Sequence, residues 1–157
     1  VHRGEQGEGM RKVVLALAGM VALAAPAQAL AKVNTLTVKA LGDDNASVTV
    51  KVTVNKKGVA TKVGSVSYKN VNYSCLGMDP DAHPERSGKL TGSGKVTSAK
   101  EGGKTVYRVY LTDATGSSLS AKLNKKGTKL TEGTLRGKFK DATGTSCEAV
   151  ADFNAAK

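Results

Sequence analysis

The strongest constraint on the fold is an alternation of apolar and polar residues. From Val48 to Val54 every second residue is valine, and the residues between them are Thr49, Lys51 and Thr53. A period of two places apolar side chains on one side of a β-strand and polar side chains on the other. The segment therefore predicts a strand with one buried and one solvated face.

The same alternation recurs along the rest of the chain. The apolar positions of the further runs are Leu36-Val38-Ala40, Tyr107-Val109-Leu111, Leu119-Ala121-Leu123, Leu135-Gly137-Phe139 and Cys147-Ala149-Ala151-Phe153. Clusters rich in Gly, Asn and Asp separate them, and no helical period follows residue 29. The sequence predicts an all-β domain, an antiparallel meander of about seven to nine strands. Whether the strands form a barrel or a sandwich stays open.

Two short motifs each occur twice between these runs. Asn-Lys-Lys-Gly occupies 55–58 and 124–127, and Asp-Ala-Thr-Gly occupies 113–116 and 141–144. An Asn or Asp caps the backbone of a type I turn, and Gly takes the following left-handed position without steric strain. A phosphate cradle would instead need a helix after the motif. All four segments are therefore predicted to be hairpin turns.

The first thirty residues resemble an export signal. Met10-Arg11-Lys12 is followed by the apolar run Val13–Ala25 and by the small residues of Ala27-Gln28-Ala29. This is the order of a signal peptide, and cleavage is expected between Ala29 and Leu30. The run is shorter than the roughly 20 apolar residues that a membrane-spanning helix needs.

We therefore divide the chain into three parts. Residues 1–9 are interpreted as a non-native upstream extension, residues 10–29 as a helical signal peptide, and residues 30–157 as a single β domain. The protein is expected to be secreted, with no transmembrane anchor after removal of the signal.

Cys75 and Cys147 are the two cysteines of the chain, and both follow the predicted signal. In a secreted protein a lone pair favours a disulfide. A redox pair would more often be closely spaced, and a structural zinc site would need four ligands.

The loop from Gly77 to Gly88 places acids and a histidine at every second position. These candidate ligands of a divalent metal are Asp79, Asp81, His83 and Glu85. The pattern departs from a tight calcium loop, because Pro84 stands where Gly is needed and Leu90 where a bidentate Glu is needed. A solvated acidic loop is the competing interpretation, and no cofactor is expected.

The domain is strongly basic. The chain has 24 Lys and Arg and 13 Asp and Glu; three of these cations and two of these acids precede residue 30, which leaves a net charge of +10. Such a charge attracts polyanions over long distances. Lys51, Lys122 and Lys138 occupy polar positions of alternating runs and are the candidate basic face.

The chain has few aromatic residues, namely 4 Tyr, 2 Phe and no Trp. Recognition of nucleic-acid bases needs exposed aromatic platforms, and the core will take most of these rings. Specific nucleic-acid binding is therefore not expected. The expected partners are an anionic polymer of the cell envelope or a protein, and the oligomeric state stays open.

The last part of the chain carries a family resemblance. The run Glu132-Gly-Thr-Leu-Arg-Gly-Lys-Phe-Lys-Asp-Ala-Thr-Gly-Thr-Ser-Cys147, followed by Ala151-Asp-Phe-Asn-Ala155, is similar to the closing hairpin of small secreted two-cysteine β-proteins of actinobacteria. The resemblance implies an exported, disulfide-bonded β domain. That family has no assigned activity, so the resemblance supplies no site residues.

Catalysis is poorly supported by the residues present. A Ser-His-acid device would depend on His83, which lies between acids and prolines on a predicted surface loop. We therefore expect no enzyme. Two functions remain: a binding or adhesion module for anionic envelope polymer or a protein partner, and a lipocalin-like small barrel that carries an apolar ligand.

Protein recovered from culture medium is expected to begin at Leu30 and to contain no free thiol, because the peptidase cuts after Ala29 and both cysteines are oxidised. Amino-terminal sequencing and thiol titration of the unfolded protein check this. A terminus at Met10, or two titrating thiols, would contradict the export prediction.

Overall fold

The computed structural model describes residues 30–154 as eight β-strands. They are β1 (Lys32–Lys39), β2 (Ser47–Val54), β3 (Ala60–Cys75), β4 (Glu85–Glu101), β5 (Lys104–Thr112), β6 (Ser118–Leu123), β7 (Leu130–Lys140) and β8 (Ser146–Asn154). Each strand pairs antiparallel with the next in the chain. The predicted all-β meander is confirmed. The predicted signal peptide, 10–29, and upstream extension, 1–9, lie outside the described residues.

Over residues 30–154 there is no helix of the length and apolar character needed to cross a membrane.

The sheet closes partly on itself through β3. The first part of β3 pairs with β2 and β4, whereas Tyr73–Cys75 pairs with β8. Strands β3 to β8 therefore form a ring. The β1–β2 hairpin extends the sheet outside this ring, because β2 pairs with the first part of β3. The backbone N–H of Leu41 also donates to the carbonyl of Asp152 at 2.7 Å. The result is a partly closed barrel around one hydrophobic core.

Two bulges bend β3 so that it can serve three neighbouring strands. Ser65 and Asn70 have φ angles of 50° and 52° and no register partner on either side. Each bulge adds one residue, which keeps the apolar side chains on the inner face. The inward residues are Val63, Val66, Tyr68, Val71 and Tyr73.

Aromatic rings lie against glycines inside the barrel. Tyr68 reaches from β3 to Gly88 on β4 and Gly137 on β7, and a Cβ at either glycine would lie 2.5 Å from the tyrosine oxygen. Phe153 on β8 covers Gly133 on β7 in the same way. Only glycine leaves room for these rings, so the interior is filled by side chains at both levels.

The disulfide predicted between Cys75 and Cys147 is confirmed. The two residues are register partners at the junction of β3 and β8, with Cα atoms 4.0 Å apart. The bond links residues 72 positions apart. In the chain-entropy model a loop of this length contributes roughly 4 kcal/mol to stability.

The four repeated motifs form the predicted hairpin turns. The glycines that end them, Gly58, Gly116, Gly127 and Gly144, have φ angles of 71°, 79°, 59° and 85°. In each turn the glycine N–H donates to the carbonyl of the Asn or Asp, whose side chain accepts two further backbone N–H groups. The turn prediction is confirmed.

The second Asn-Lys-Lys-Gly turn differs from the first because it packs against the β2–β3 hairpin. The N–H of Ala60 donates to the carbonyl of Lys125 at 2.8 Å. A Cβ at Gly127 would lie 2.7 Å from Cγ1 of Val52, whereas a Cβ at Gly58 would meet open space. The two copies thus share a backbone conformation and differ in packing.

Replacing each of these glycines with alanine separates the two effects. Gly58→Ala should lower the free energy of unfolding by about 1 kcal/mol, since only the left-handed conformation opposes it. Gly127→Ala should lower it by about 2 to 4 kcal/mol, because the new methyl group must also displace Val52 and Ala60. Chemical denaturation measures both losses. Equal losses would contradict the packing of the second turn.

Two turns depend on a charged carboxylate. The pKa of Asp141 is lowered, chiefly by the hydrogen bond from the Thr143 hydroxyl and then by backbone N–H donors. At Asp113 partial burial raises the pKa, but hydrogen bonds from Thr115 and Ser117 outweigh it, so the pKa is also lowered. The charged form therefore stabilises the fold above the ordinary aspartate value of 3.8. That contribution is lost as the pH falls through the lowered pKa.

Asp141→Asn should therefore be less stable than the unmodified domain at neutral pH, with a difference that disappears in acid. Unfolding midpoints measured from about pH 7 to about pH 2 test this. Asp44→Asn removes an exposed carboxylate outside these turns and serves as the control. A difference that persists unchanged in acid would contradict the role of the charge.

Candidate functional site

The outward side of β1, β2, β3 and the first part of β4 is a face of lysines and hydroxyl groups. Cross-strand register aligns its residues in four rows: Lys39–Ser47–Lys69, Thr37–Thr49–Ser67–Lys89, Thr35–Lys51–Gly64–Ser93 and Val33–Thr53–Lys62–Lys95. Apart from Val33 and Gly64, each position is Lys, Ser or Thr. We call this surface the lysine face. Its lysines, all exposed, are Lys39, Lys51, Lys62, Lys69, Lys89 and Lys95.

The sheet geometry makes the lysine face compact. Neighbouring strands lie about 4.8 Å apart, and outward residues follow one another about 6.7 Å along a strand. Four strands and four rows therefore span roughly 15 by 20 Å. Six positive charges share this area because alternation points every second residue of each strand outward.

The charge of the lysine face is not compensated. Strands β1, β2 and β3 contain no Asp or Glu, and the acid at the start of β4, Glu85, pairs with Asn72 beyond the four rows. Within residues 30–154, none of the six lysines takes part in an ion pair. Lys62 and Lys95 are direct register partners, and like charges opposite each other destabilise a sheet. Local stability alone therefore does not account for this arrangement.

The outward side of β5 to β8 is arranged differently, because three of the six cations on these strands have acidic partners. The ion pairs across or beside these strands are Arg108–Glu101 at 2.7 Å, Lys122–Glu132 at 2.9 Å and Arg136–Glu148 at 3.2 Å. The hydroxyl of Thr134 donates to Asp152 on β8. Positive charge is thus distributed unevenly: among the residues that the structure describes, acids pair with three of the six cations on β5 to β8 and with none of the six lysines on the lysine face.

The structure does not bring the predicted basic residues Lys51, Lys122 and Lys138 onto one face. Lys51 lies on the lysine face. Lys122 on β6 pairs with Glu132, and Lys138 on β7 is the register partner of Glu148. The cations that do share one face are the six lysines of the lysine face, of which Lys51 is one.

Sequence reasoning missed the other lysines of the face because β3 and most of β4 lack a regular alternation. One sequence signal was available: no acid occurs from Ala46 to Met78, although lysines recur there. A stretch of strands without acids predicts an uncompensated surface even when the strand neighbours are unknown.

A surface depression of about 500 Å³ lies within the lysine face. It forms where the bulge of β3 meets an irregular part of β4. Gly64 pairs with Ser93 and Val66 with Leu90, which leaves Ser65, Thr91 and Gly92 without register partners. We call it the bulge depression. Its polar lining consists of Lys51, Lys89, Thr49, Ser65, Ser67 and Thr91.

The predicted metal ligands gain no support from the geometry. Asp79, Asp81, His83 and Glu85 are all exposed. In the described part of the chain, no three of them bring ligand atoms within 4.8 Å of one another. The group that does meet this distance is Cys75, Cys147 and Asp141, whose two sulfur atoms are bonded to each other.

The interior gives no support to the carrier function either. Tyr68 and Phe153 occupy the space between facing strands, together with buried valines and leucines. The depressions described in residues 30–154 are open at the surface, and one of them, beside β1, is lined in part by Leu36, Val38 and Leu130.

No protein-family model, curated protein or solved structure matches the chain. Its class is therefore defined by fold and surface: a disulfide-bonded, partly closed β-barrel with one uncompensated cationic face. The likeness to the actinobacterial two-cysteine proteins stays a prediction.

Lys95→Glu should stabilise the fold by a few tenths to about 1 kcal/mol, because it converts a like-charge pair with Lys62 into an opposite-charge pair. Thermal and chemical denaturation at low salt measure the gain, which salt should reduce. Lys100→Glu, whose register partner is Thr105, is the control. A gain of equal size in the control would contradict the repulsion between Lys62 and Lys95.

Proposed function

We propose that the domain is an exported, non-catalytic binding module that attaches to an anionic polymer of the cell envelope through the lysine face. The observation that carries this proposal is the uneven distribution of charge. Six exposed lysines lie in four rows without a carboxylate, whereas three of the six cations on β5 to β8 are paired with acids.

The composition of the face supports a polymer rather than a protein partner. Protein interfaces usually have an apolar or aromatic centre and are poor in lysine. The lysine face has lysines and hydroxyl groups at its centre, and its apolar outward residue, Val33, stands at the end of a row on β1. Such a surface attracts a flexible chain of negative charges without burying much apolar area.

The engagement of the acids supports a non-catalytic role. Glu148 and Asp152 on β8 bind Arg136 and the Thr134 hydroxyl, and Glu132, which lines a depression with Asp152, binds Lys122. His83 lies exposed on the loop before β4. The lysines themselves supply charge and hydrogen-bond donors, which is sufficient for binding.

The test is the binding of the domain to poly(glycerol phosphate), with neutral dextran as the control polymer. Affinity should be measurable at about 20 mM salt and fall steeply towards about 500 mM, because binding releases counterions. The variant Lys51→Ser/Lys62→Ser/Lys95→Ser should lose about tenfold or more in affinity and show a shallower salt dependence.

A matched variant changes the net charge equally but leaves the lysine face intact. Lys100→Ser/Lys104→Ser/Lys138→Ser alters residues of β4, β5 and β7 that lie outside the four rows. Its affinity should stay near that of the unmodified domain. Equal losses in the two triple variants would reduce the effect to net charge. Absence of binding at low salt, or affinity unchanged at high salt, would overturn the proposal.

A further inference from the structure

We propose that the bulge depression is a specific subsite of the lysine face, and that it holds one phosphate together with hydroxyl groups of the polyol or sugar that carries it. This inference rests on the proposed function, because it names the repeating unit that the polymer would present. It adds selectivity, which a uniform field of lysines does not provide.

The position of two lysines suits a single anion. Lys51 stands on β2 and Lys89 on β4, with β3 between them, and both line the depression. Their backbones are separated by two strand spacings, about 10 Å, and by one row along the strands. Extended lysine side chains can reach inward from both sides, so one phosphate above Ser65 can accept from both ammonium groups.

The hydroxyl groups of the depression suit the rest of the repeating unit. Lysine ammonium groups only donate hydrogen bonds, whereas hydroxyls both donate and accept, as a polyol or sugar does. Within the described residues, the side-chain oxygens of Ser65 and Ser67 make no hydrogen bond to another side chain, while Thr49 contacts Thr37 at 3.1 Å. No aromatic side chain lines the depression, so it offers no platform for a base.

The backbone of the depression also points to a placed side chain. Ser65 has a φ angle of 50°, a conformation that glycine adopts without strain and serine does not. At the wall of the depression, the N–H of Thr91 donates to Oδ2 of Asp113 at 3.4 Å. Backbone strain that the surrounding structure maintains is concentrated at sites that present a particular group.

The test uses Ser65→Gly, which removes the hydroxyl and relieves the backbone. It should raise the melting temperature and lower the affinity for poly(glycerol phosphate) about three- to tenfold, the range for one lost hydrogen bond. Affinity for polyglutamate, an anionic polymer without phosphate or polyol, should not change. Asn70→Gly, at the second bulge of β3 with a φ of 52° and outside the depression, should leave both affinities unchanged.

Ser67→Ala provides a second variant in ordinary strand geometry and should show the same selective loss. If the unmodified domain binds neither polymer at low salt, the proposed function fails. The second case is that the unmodified domain binds both polymers. If Ser65→Gly and Ser67→Ala then bind like the unmodified domain, or lose affinity for both polymers equally, the subsite is overturned. The lysine face alone would then account for binding. Tighter binding of oligothymidylate than of poly(glycerol phosphate) would also overturn it, in favour of a nucleic-acid ligand.

Discussion

The fold depends on strand β3 keeping its apolar side chains on one side while it bends. A regular strand as long as β3 would carry its inner face away from the core as the sheet twists. The bulges at Ser65 and Asn70 correct this, because each bends the strand and returns the following apolar side chains to the inner face. Between them, Tyr68 reaches β4 and β7. Beyond them, Cys75 meets β8 and the ring closes.

Alternation predicted the strands in which apolar and polar residues alternate without interruption. It did not predict β3 and most of β4, where the alternation is interrupted. In β3 the inward residues follow at intervals of three and two, which matches neither a regular strand nor a helix. In β4 the large buried residues are few, Leu90 and Val96, because Gly88 and Gly94 face the interior as well. Turns were predictable because their chemistry is local. The packing of Gly127 against Val52 joins segments far apart in sequence and left no such signal.

The candidate site shows the same limit. Alternation predicted that Lys51, Lys122 and Lys138 point outward, which depends only on parity within a strand. The meander gave the order of the strands, but neither their register nor the closure through β3 and β8 was predicted, because both arise from contacts between distant residues. Features that oppose stability also meet on this side of the barrel: the Lys62–Lys95 pair and the left-handed Ser65. Such local conflicts with folding concentrate where a surface serves a ligand.

The pairing of β3 with β8 sets an order of folding events. Every other pairing in the sheet joins consecutive strands. Hairpins of this kind form early, since little chain entropy is lost in bringing neighbouring segments together. The contact between Cys75 and Cys147 spans 72 positions and has a larger closure entropy. The hairpins are therefore expected to form one after another as an open sheet, and the pairing of β3 with β8 is expected to form last. Oxidation at the closing contact then holds the ring against reopening for as long as the surroundings stay oxidising.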